Sequence, residues 1–271
     1  MDAHTRQIAR ENWTNFSILR HGGLDGMLVS SKNSGTHWLK YMLSIALAET
    51  YGTDWPRYYS EAGTAGHIGS PKNREREPGI PKLAFSHTIP HRLMDWPFAR
   101  STMNLPRYVL LIRHPAAILA SHYAKWKDAL NVSWETYLRG DPSGKTYRCD
   151  IFWIARFWAR WSKLIDVWPD GIRIIRYEEI HQSPITALKS SFGQWEINVD
   201  DEALETAIKQ GSKEEMSRRA DPDGEQRVVQ TDKRQLADLF SNEAGSIYAE
   251  SCQSLFQANL GYDLLDIQSA I

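Results

Sequence analysis

The chain has 271 residues, of which 42% are hydrophobic, and it carries 32 basic against 33 acidic side chains. This length suits one large domain, and the charge balance excludes a global field that attracts nucleic acid or membranes, so any anion site is local. Cys149 and Cys252 lack a metal-ligand spacing, which argues against a disulfide framework or zinc site. Without a signal peptide or an apolar run of ~20 residues, we expect a cytoplasmic protein that neither spans a membrane nor binds nucleic acid.

Apolar runs of strand length alternate along the chain with segments of helical period, a pattern typical of βαβ units and a mostly parallel sheet. The predicted strands, in chain order, are 27–31, 83–87, 108–112 and 172–177. The predicted helices are 36–50, 116–126, 151–168 and 185–195, and a Gly- and Pro-containing segment at 61–81 is expected to be a surface loop. The sequence thus predicts one α/β domain over residues 1–271 with a mostly parallel central sheet flanked by helices. The core of this domain spans about 27–195, and a helical C-terminal portion spans about 200–271.

The loop after the first predicted strand has the properties of an anion site. A strand, a short polar loop and a helix bring free backbone N–H groups and the positive end of the helix dipole to one point. Ser34, Gly35 and Thr36 add hydroxyl donors and a close backbone approach, and Lys32 adds charge. A P-loop ATP or GTP site requires the lysine directly after the second glycine, and here the lysine precedes the glycine. The alternative is a polar turn with an N-cap.

A second candidate anion site follows the predicted strand at 108–112. Arg113 stands at the end of this strand, and Ser121 comes eight residues later on the following helix. A guanidinium fork and a hydroxyl together suit a doubly charged phosphate. The alternative for Arg113 is a structural ion pair.

The segment SKNSGTHWLKYML at 31–43 resembles the 5′-phosphosulfate loop of the sulfotransferases that use 3′-phosphoadenosine 5′-phosphosulfate (PAPS). Their pattern after the first strand is Pro-Lys-Ser-Gly-Thr-Thr-Trp, and the positions that match it are Ser34, Gly35, Thr36 and Trp38. The resemblance implies a P-loop-like phosphosulfate-binding loop within the α/β fold. It also implies that Trp38 stacks on adenine, although core packing is the competing role for this side chain.

Three positions in this loop depart from the family pattern. Asn33 falls on the family's lysine, which contacts the bridging oxygen of the leaving phosphate, and Lys32 falls on its proline. Either Lys32 reaches the same place, or Asn33 donates a neutral hydrogen bond and another cation stabilises the leaving group. His37 replaces a threonine and either contributes N–H donors or lies on the surface.

Further segments extend the resemblance across about 27–195. Residues 108–126 resemble the family's 3′-phosphate segment, in which Arg113 and Ser121 bind that phosphate. RYEEI at 176–180 resembles a segment near the nucleotide, which makes Tyr177 a candidate, and QGSKEEM at 210–216 resembles a later nucleotide-contacting loop through Ser212. The family's Arg-Lys-Gly segment has no clear counterpart, and the basic residues that could replace it are Arg218, Arg219 and Arg227.

The segment LAFSHTIP at 83–90 resembles the family's Lys-Thr-His-Leu-Pro segment, which carries the catalytic base. His87 fits the histidine, and Phe85 stands where the family has lysine. A neutral imidazole takes the acceptor's proton as the acceptor attacks sulfur.

The resemblance therefore implies a PAPS-dependent sulfotransferase, with His87 and either Lys32 or Asn33 as catalytic residues and 3′,5′-adenosine bisphosphate (PAP) as product. No metal is expected, since a sulfuryl group carries less charge than a phosphoryl group. The acceptor is a small molecule, a glycan or a lipid with a hydroxyl or amine. It is expected between loops 54–81 and 139–150, near Tyr58, Tyr59 and Trp96. Two alternatives stay open: a P-loop-type nucleotide-dependent kinase, and a catalytically inactive protein that binds PAP or PAPS. The oligomeric state also stays open, a homo-oligomer included.

Overall fold

A sheet of five parallel strands forms the centre of the protein, in a computed structural model that describes residues 2–73, 76–222 and 233–270. The strands are β1 (Gly26–Ser30), β2 (Ile68–Gly69), β3 (Leu83–Ser86), β4 (Arg107–Ile112) and β5 (Ile172–Arg176). Their order across the sheet is β2-β3-β1-β4-β5. The central strands β1 and β4 are buried along almost their whole length, as expected for parallel strands that are covered on both faces.

Helices cover both faces of this sheet. They are α1 (Ala3–Thr14), α2 (Thr36–Tyr51), α3 (Pro97–Thr102), α4 (Pro115–Leu130), α5 (Trp134–Arg139), α6 (Ile151–Val167), α7 (Tyr177–Gln182), α8 (Pro184–Gln194), α9 (Asp201–Gln210), α10 (Lys213–Arg218), α11 (Lys233–Leu239) and α12 (Asn242–Leu255). Single 3₁₀ turns occur at Phe16–Arg20, Arg92–Asp95, Pro169–Gly171 and Ile267–Ala270.

The alternation of side chains along the strands creates two apolar cores. Leu28 of β1 packs with α2, α8 and α9 on one face, whereas Met27 and Val29 pack with α4, α6 and α12 on the other. Helix α2 is buried almost all round because it lies between the sheet and α9. Helix α6 contains three tryptophans, of which Trp158 and Trp161 are fully buried.

The topology places a crevice at the carboxyl ends of β1 and β4. From β1 the chain crosses to the β2–β3 side of the sheet, and it returns to the opposite side for β4. Helices α2 and α4, which follow β1 and β4, therefore lie on opposite faces. Loops that diverge in this way form the usual ligand crevice of open α/β sheets.

The predicted α/β class, the parallel sheet and the flanking helices are confirmed. The expectation of an extended surface loop at 61–81 is wrong, because this segment contains β2 and buries Thr64, His67 and Ile68. Helix α1 has no predicted counterpart, since it buries none of its residues and therefore lacks the apolar stripe that reveals a helix. Among the residues that the structure describes, no helix is both long and apolar enough to cross a membrane.

Candidate functional site

The loop between β1 and α2 is shaped by two residues with positive φ, Asn33 at 57° and Gly35 at 79°. Gly35 is the N-cap of α2 and provides no side-chain acceptor for the first N–H groups of the helix. Those N–H groups and the helix dipole are therefore available to an anion. A Cβ atom on Gly35 would lie 2.5 Å from two ring atoms of Tyr177, so glycine is the residue that permits this approach.

A chain of hydrogen bonds joins this loop to His87. Thr36 Oγ1 lies 2.7 Å from Ser30 Oγ, and His87 Nδ1 lies 2.8 Å from the Ser30 carbonyl oxygen and 3.2 Å from Ser30 Oγ. Because a carbonyl oxygen only accepts, Nδ1 carries the proton, which leaves a lone pair on Nε2. Burial lowers the pKa of His87 to about 4, so the imidazole is neutral at physiological pH. His87 is thus in the protonation state that a general base requires.

Lys32 and Asn33 have different hydrogen-bond partners. The Lys32 ammonium donates to the Arg148 carbonyl oxygen and lies 4.3 Å from the centre of the Trp153 ring. Its positive charge contributes to lowering the pKa of His87, and it also contributes to lowering the pKa of His122. Asn33 instead donates from Nδ2 to His122 Nδ1 at 2.9 Å, on α4. Of the two candidates, Lys32 is the one that carries a charge, and this charge acts on His87.

Arg113 is 8% exposed and lies beside the same loop. Its Nη1 donates to the Asn33 carbonyl oxygen at 3.3 Å, and its guanidinium lies 4.2 Å from the centre of the Tyr177 ring. Arg113 Nε is buried and donates no hydrogen bond to a described residue. Arg113 also forms no salt bridge among the described residues. The structural ion pair considered from the sequence is not observed there, and Arg113 retains donors for a ligand. Ser121, also 8% exposed, lies two helical turns along α4.

Tyr177 connects the two candidate anion sites, since its ring contacts the Gly35 backbone and the Arg113 guanidinium. The centre of the Trp38 ring lies 6.0 Å from that of Tyr177 and 4.6 Å from that of His181. Trp38 also packs against the core on the α2 side of the sheet, so it has a structural contact as well. The structure therefore gathers aromatic rings beside the β1–α2 loop, an arrangement that suits the stacking of a base.

The turn at 210–216 reaches the same aromatic group. Trp38 Nε1 donates to the Gly211 carbonyl oxygen at 2.8 Å, which places Ser212 next to this contact. Ser212 is the N-cap of α10, where its hydroxyl accepts from Glu215 N at 3.3 Å. His181 also belongs to this aromatic group, although it was not predicted from the sequence. Its position four residues after Tyr177 on α7 is the signal that could have revealed it.

His37 is exposed at the start of α2, and its predicted contact with the nucleotide stays a prediction. Of the basic residues considered for the missing C-terminal segment, Arg218 forms an exposed salt bridge with Glu215, and Arg219 lies over the Trp55 ring. Arg227 lies outside the described residues.

A cleft of about 390 Å³ opens beside His87. Its walls are formed mainly by α1, the end of β3 and α6, through Gln7, Arg10, Glu11, Thr14, Asn15, Thr88, Ile89, Gly144 and Trp153. Most of these side chains are polar. The loop at 139–150 contributes Gly144, whereas Tyr58, Tyr59 and Trp96, expected near the acceptor, do not line this cleft. Both cysteines are buried free thiols, and no cluster of three metal-ligating side chains occurs in the described ranges.

Similar proteins are found by comparison of structures but not by comparison of sequences. No family model and no curated protein sequence matches the chain. A mouse sulfotransferase complexed with PAP aligns with a TM-score of 0.54 at 17% identity, over 90% of this chain and 91% of that one. Retinol dehydratase complexed with retinol and PAP aligns with a TM-score of 0.50 at 12% identity, over 94% of this chain and 87% of that one. The chain has a sulfotransferase-type fold. At these identities the likeness establishes the fold alone.

Proposed function

We propose that the chain transfers the sulfuryl group of PAPS to a hydroxyl or amine of an acceptor bound in the cleft beside His87. The observation that carries this proposal is the shared contact of Tyr177 with Gly35 of the phosphate loop and with Arg113. Both candidate anion sites contact one aromatic ring, which suits a nucleotide with phosphates on both its 3′ and 5′ positions.

Each predicted residue has a role in this proposal. The N–H groups at the start of α2, with Ser34, Thr36 and the exposed His37, hold the 5′-phosphate. Arg113 and Ser121 hold the 3′-phosphate, and Asn33 fixes the loop between them through its bonds to His122 and Arg113. The adenosine lies among the side chains of Trp38, Tyr177 and Ser212.

The reaction needs one proton transfer and one displacement. The acceptor oxygen or nitrogen forms a bond to sulfur, and the bond from sulfur to the bridging phosphate oxygen breaks. His87 Nε2 takes the acceptor's proton, while PAP leaves with the electron pair of the broken bond. Lys32, whose charge acts on His87, stabilises the charge that develops on the leaving oxygen.

The cleft also limits the acceptor class. Because Gln7, Thr14, Asn15 and Thr88 present hydrogen-bonding groups there, we favour a polar acceptor such as a sugar over an apolar phenol. The two buried free thiols suit a reducing compartment, and we place the reaction in the cytoplasm.

Replacement of His87 by glutamine tests the proposal. We expect turnover of PAPS with an accepted sugar to fall by about 10²- to 10⁴-fold, and PAP affinity to stay unchanged, because the base contacts the acceptor rather than the nucleotide. His21→Gln is the matched control: His21 is buried, bonds the Tyr108 hydroxyl at 3.0 Å, and burial lowers its pKa to about 4, but it does not line the cleft. Wild-type turnover by His87→Gln contradicts the proposed base, and a preference for ADP over PAP favours the kinase alternative.

A further inference from the structure

Lys40 on α2 is a buried charge that has no salt bridge to a described residue. Its side chain is fully buried, and Nζ has no hydrogen-bond partner among the described residues. The ammonium lies 4.7 Å from the centre of the Phe85 ring on β3. Lysines are almost never fully buried unless they are paired, because removing the charge from water costs several kcal/mol. A chain that keeps such a group has a use for the charge or a structural need for the side chain.

The position of Lys40 connects it with the proposed transfer site. Lys40 follows Thr36 by one helical turn and lies on the same face of α2, where Thr36 Oγ1 lies 2.7 Å from Ser30 Oγ. The Phe85 ring beneath the ammonium stands edge-on to the His87 imidazole, with centroids 5.1 Å apart. Phe85 also occupies the position where the resembling family segment has lysine. The Lys40 ammonium, on α2, thus lies beside the position on β3 at which the family pattern has a lysine.

We propose that Lys40, held behind the Phe85 ring, supplies a buried positive charge that stabilises the negative charge developing during sulfuryl transfer beside His87. The inference rests on the proposed function. A charge in an apolar surrounding is weakly screened, so it acts on the reacting atoms without a hydrogen bond to them. The charge of Lys40 already contributes to lowering the pKa of His87, together with those of Lys32 and His37.

Two charged side chains affect the pKa of Lys40 in opposite directions. Glu61 acts to raise the pKa of the Lys40 ammonium and Arg76 acts to lower it, but neither forms a salt bridge with it among the described residues. Burial is the dominant cause and lowers the pKa of Lys40 to about 8. The ammonium is therefore charged at neutral pH and loses its proton under mildly alkaline conditions.

Lys40→Met and Lys40→Arg separate this role from a structural one. Methionine keeps the length and apolar character of the side chain without the charge, so we expect kcat with PAPS and an accepted sugar to fall by about tenfold or more. The melting temperature should stay constant or rise, because a desolvated charge is removed. A structural lysine predicts a different result, in which stability and activity fall together. Arginine restores a permanent charge, and we expect it to recover much of the lost kcat.

The pH profile gives a second readout. We expect the wild-type kcat to fall above about pH 8, where Lys40 deprotonates, and the Lys40→Arg variant to keep its kcat to higher pH. Lys32→Met is measured in parallel, because burial also lowers the pKa of Lys32 and its titration must be distinguished from that of Lys40. A folded Lys40→Met protein with kcat within twofold of the wild type overturns the inference. A wild-type protein that fails to bind PAP in calorimetry refutes the proposed function itself, and the inference with it.

Discussion

Replacement of Gly35 by alanine perturbs the contact on which the proposed nucleotide site depends. The added Cβ atom would lie 2.5 Å from Cδ2 and Cε2 of Tyr177, whereas carbon atoms in favourable contact are roughly 3.5–4.0 Å apart. The Tyr177 ring therefore has to move by about 1 Å. That movement disturbs the contact of the ring with the Arg113 guanidinium, which lies 4.2 Å from the ring centre.

Two contributions add to the cost of this substitution. Gly35 has φ of 79°, and an alanine in that region is strained by about 1–2 kcal/mol. Overlap with a packed ring adds about 1–3 kcal/mol. Gly52→Ala is the matched control, because Gly52 also has a positive φ, 64°, at a helix end but its added Cβ meets no atom within 4 Å. The control carries the strain without the overlap.

Urea denaturation and calorimetric titration with PAP measure the two consequences. We expect Gly35→Ala to lose more unfolding free energy than Gly52→Ala and to bind PAP about tenfold or more weakly, whereas Gly52→Ala binds it normally. In the Gly35→Ala, Tyr177→Ala double variant, stability should recover in part but affinity should not. Wild-type affinity for PAP in Gly35→Ala refutes the assignment of this loop to the 5′-phosphate.

Three other predictions concern charge. Arg113→Lys keeps the charge but loses the guanidinium fork, so calorimetry should show PAP binding about tenfold or more weakly while 5′-AMP, which lacks a 3′-phosphate, binds as before. Glu11→Gln removes the carboxylate that lies 2.9 Å from the buried Arg156 guanidinium, and it should lower the free energy of unfolding by about 3 kcal/mol. Glu243→Gln is the control: this residue pairs with Arg139 on the surface, and the change should be less than about 1 kcal/mol. Burial lowers the pKa of three histidines to about 4, namely His21, His87 and His122. Below about pH 6.5 the unfolded chain therefore binds more protons than the folded protein, and the free energy of unfolding decreases as the pH falls toward 4. Urea denaturation at pH 7 and 4.5 should show this decrease. Equal stability at the two pH values contradicts their burial in the neutral form.

The parts of the site that depend on a local sequence pattern could be predicted from the sequence. The strand, polar loop and helix around Gly35 are encoded within about 25 consecutive residues, and Arg113 comes directly after a run of hydrophobic residues at 108–112. The carboxyl ends of parallel strands meet at one edge, so the two segments converge once the sheet is predicted. These elements were therefore predictable.

Other features depend on distant neighbours. The direction of Lys32 depends on the Arg148 carbonyl and Trp153, and that of Asn33 depends on His122, so the choice between them needs the packing of α4 and α6. Helix α1 forms a wall of the cleft with polar side chains, which leave no apolar period to read. The burial of Lys40 follows from β3, more than 40 residues further along the chain.

A crystal structure of the complex with PAP tests the central claim most directly. The account predicts the 5′-phosphate on the N–H groups at the start of α2, the 3′-phosphate on Arg113 and Ser121, and the adenine between them near Trp38 and Tyr177. Density for PAP that leaves either the α2 start or Arg113 without a phosphate would contradict it.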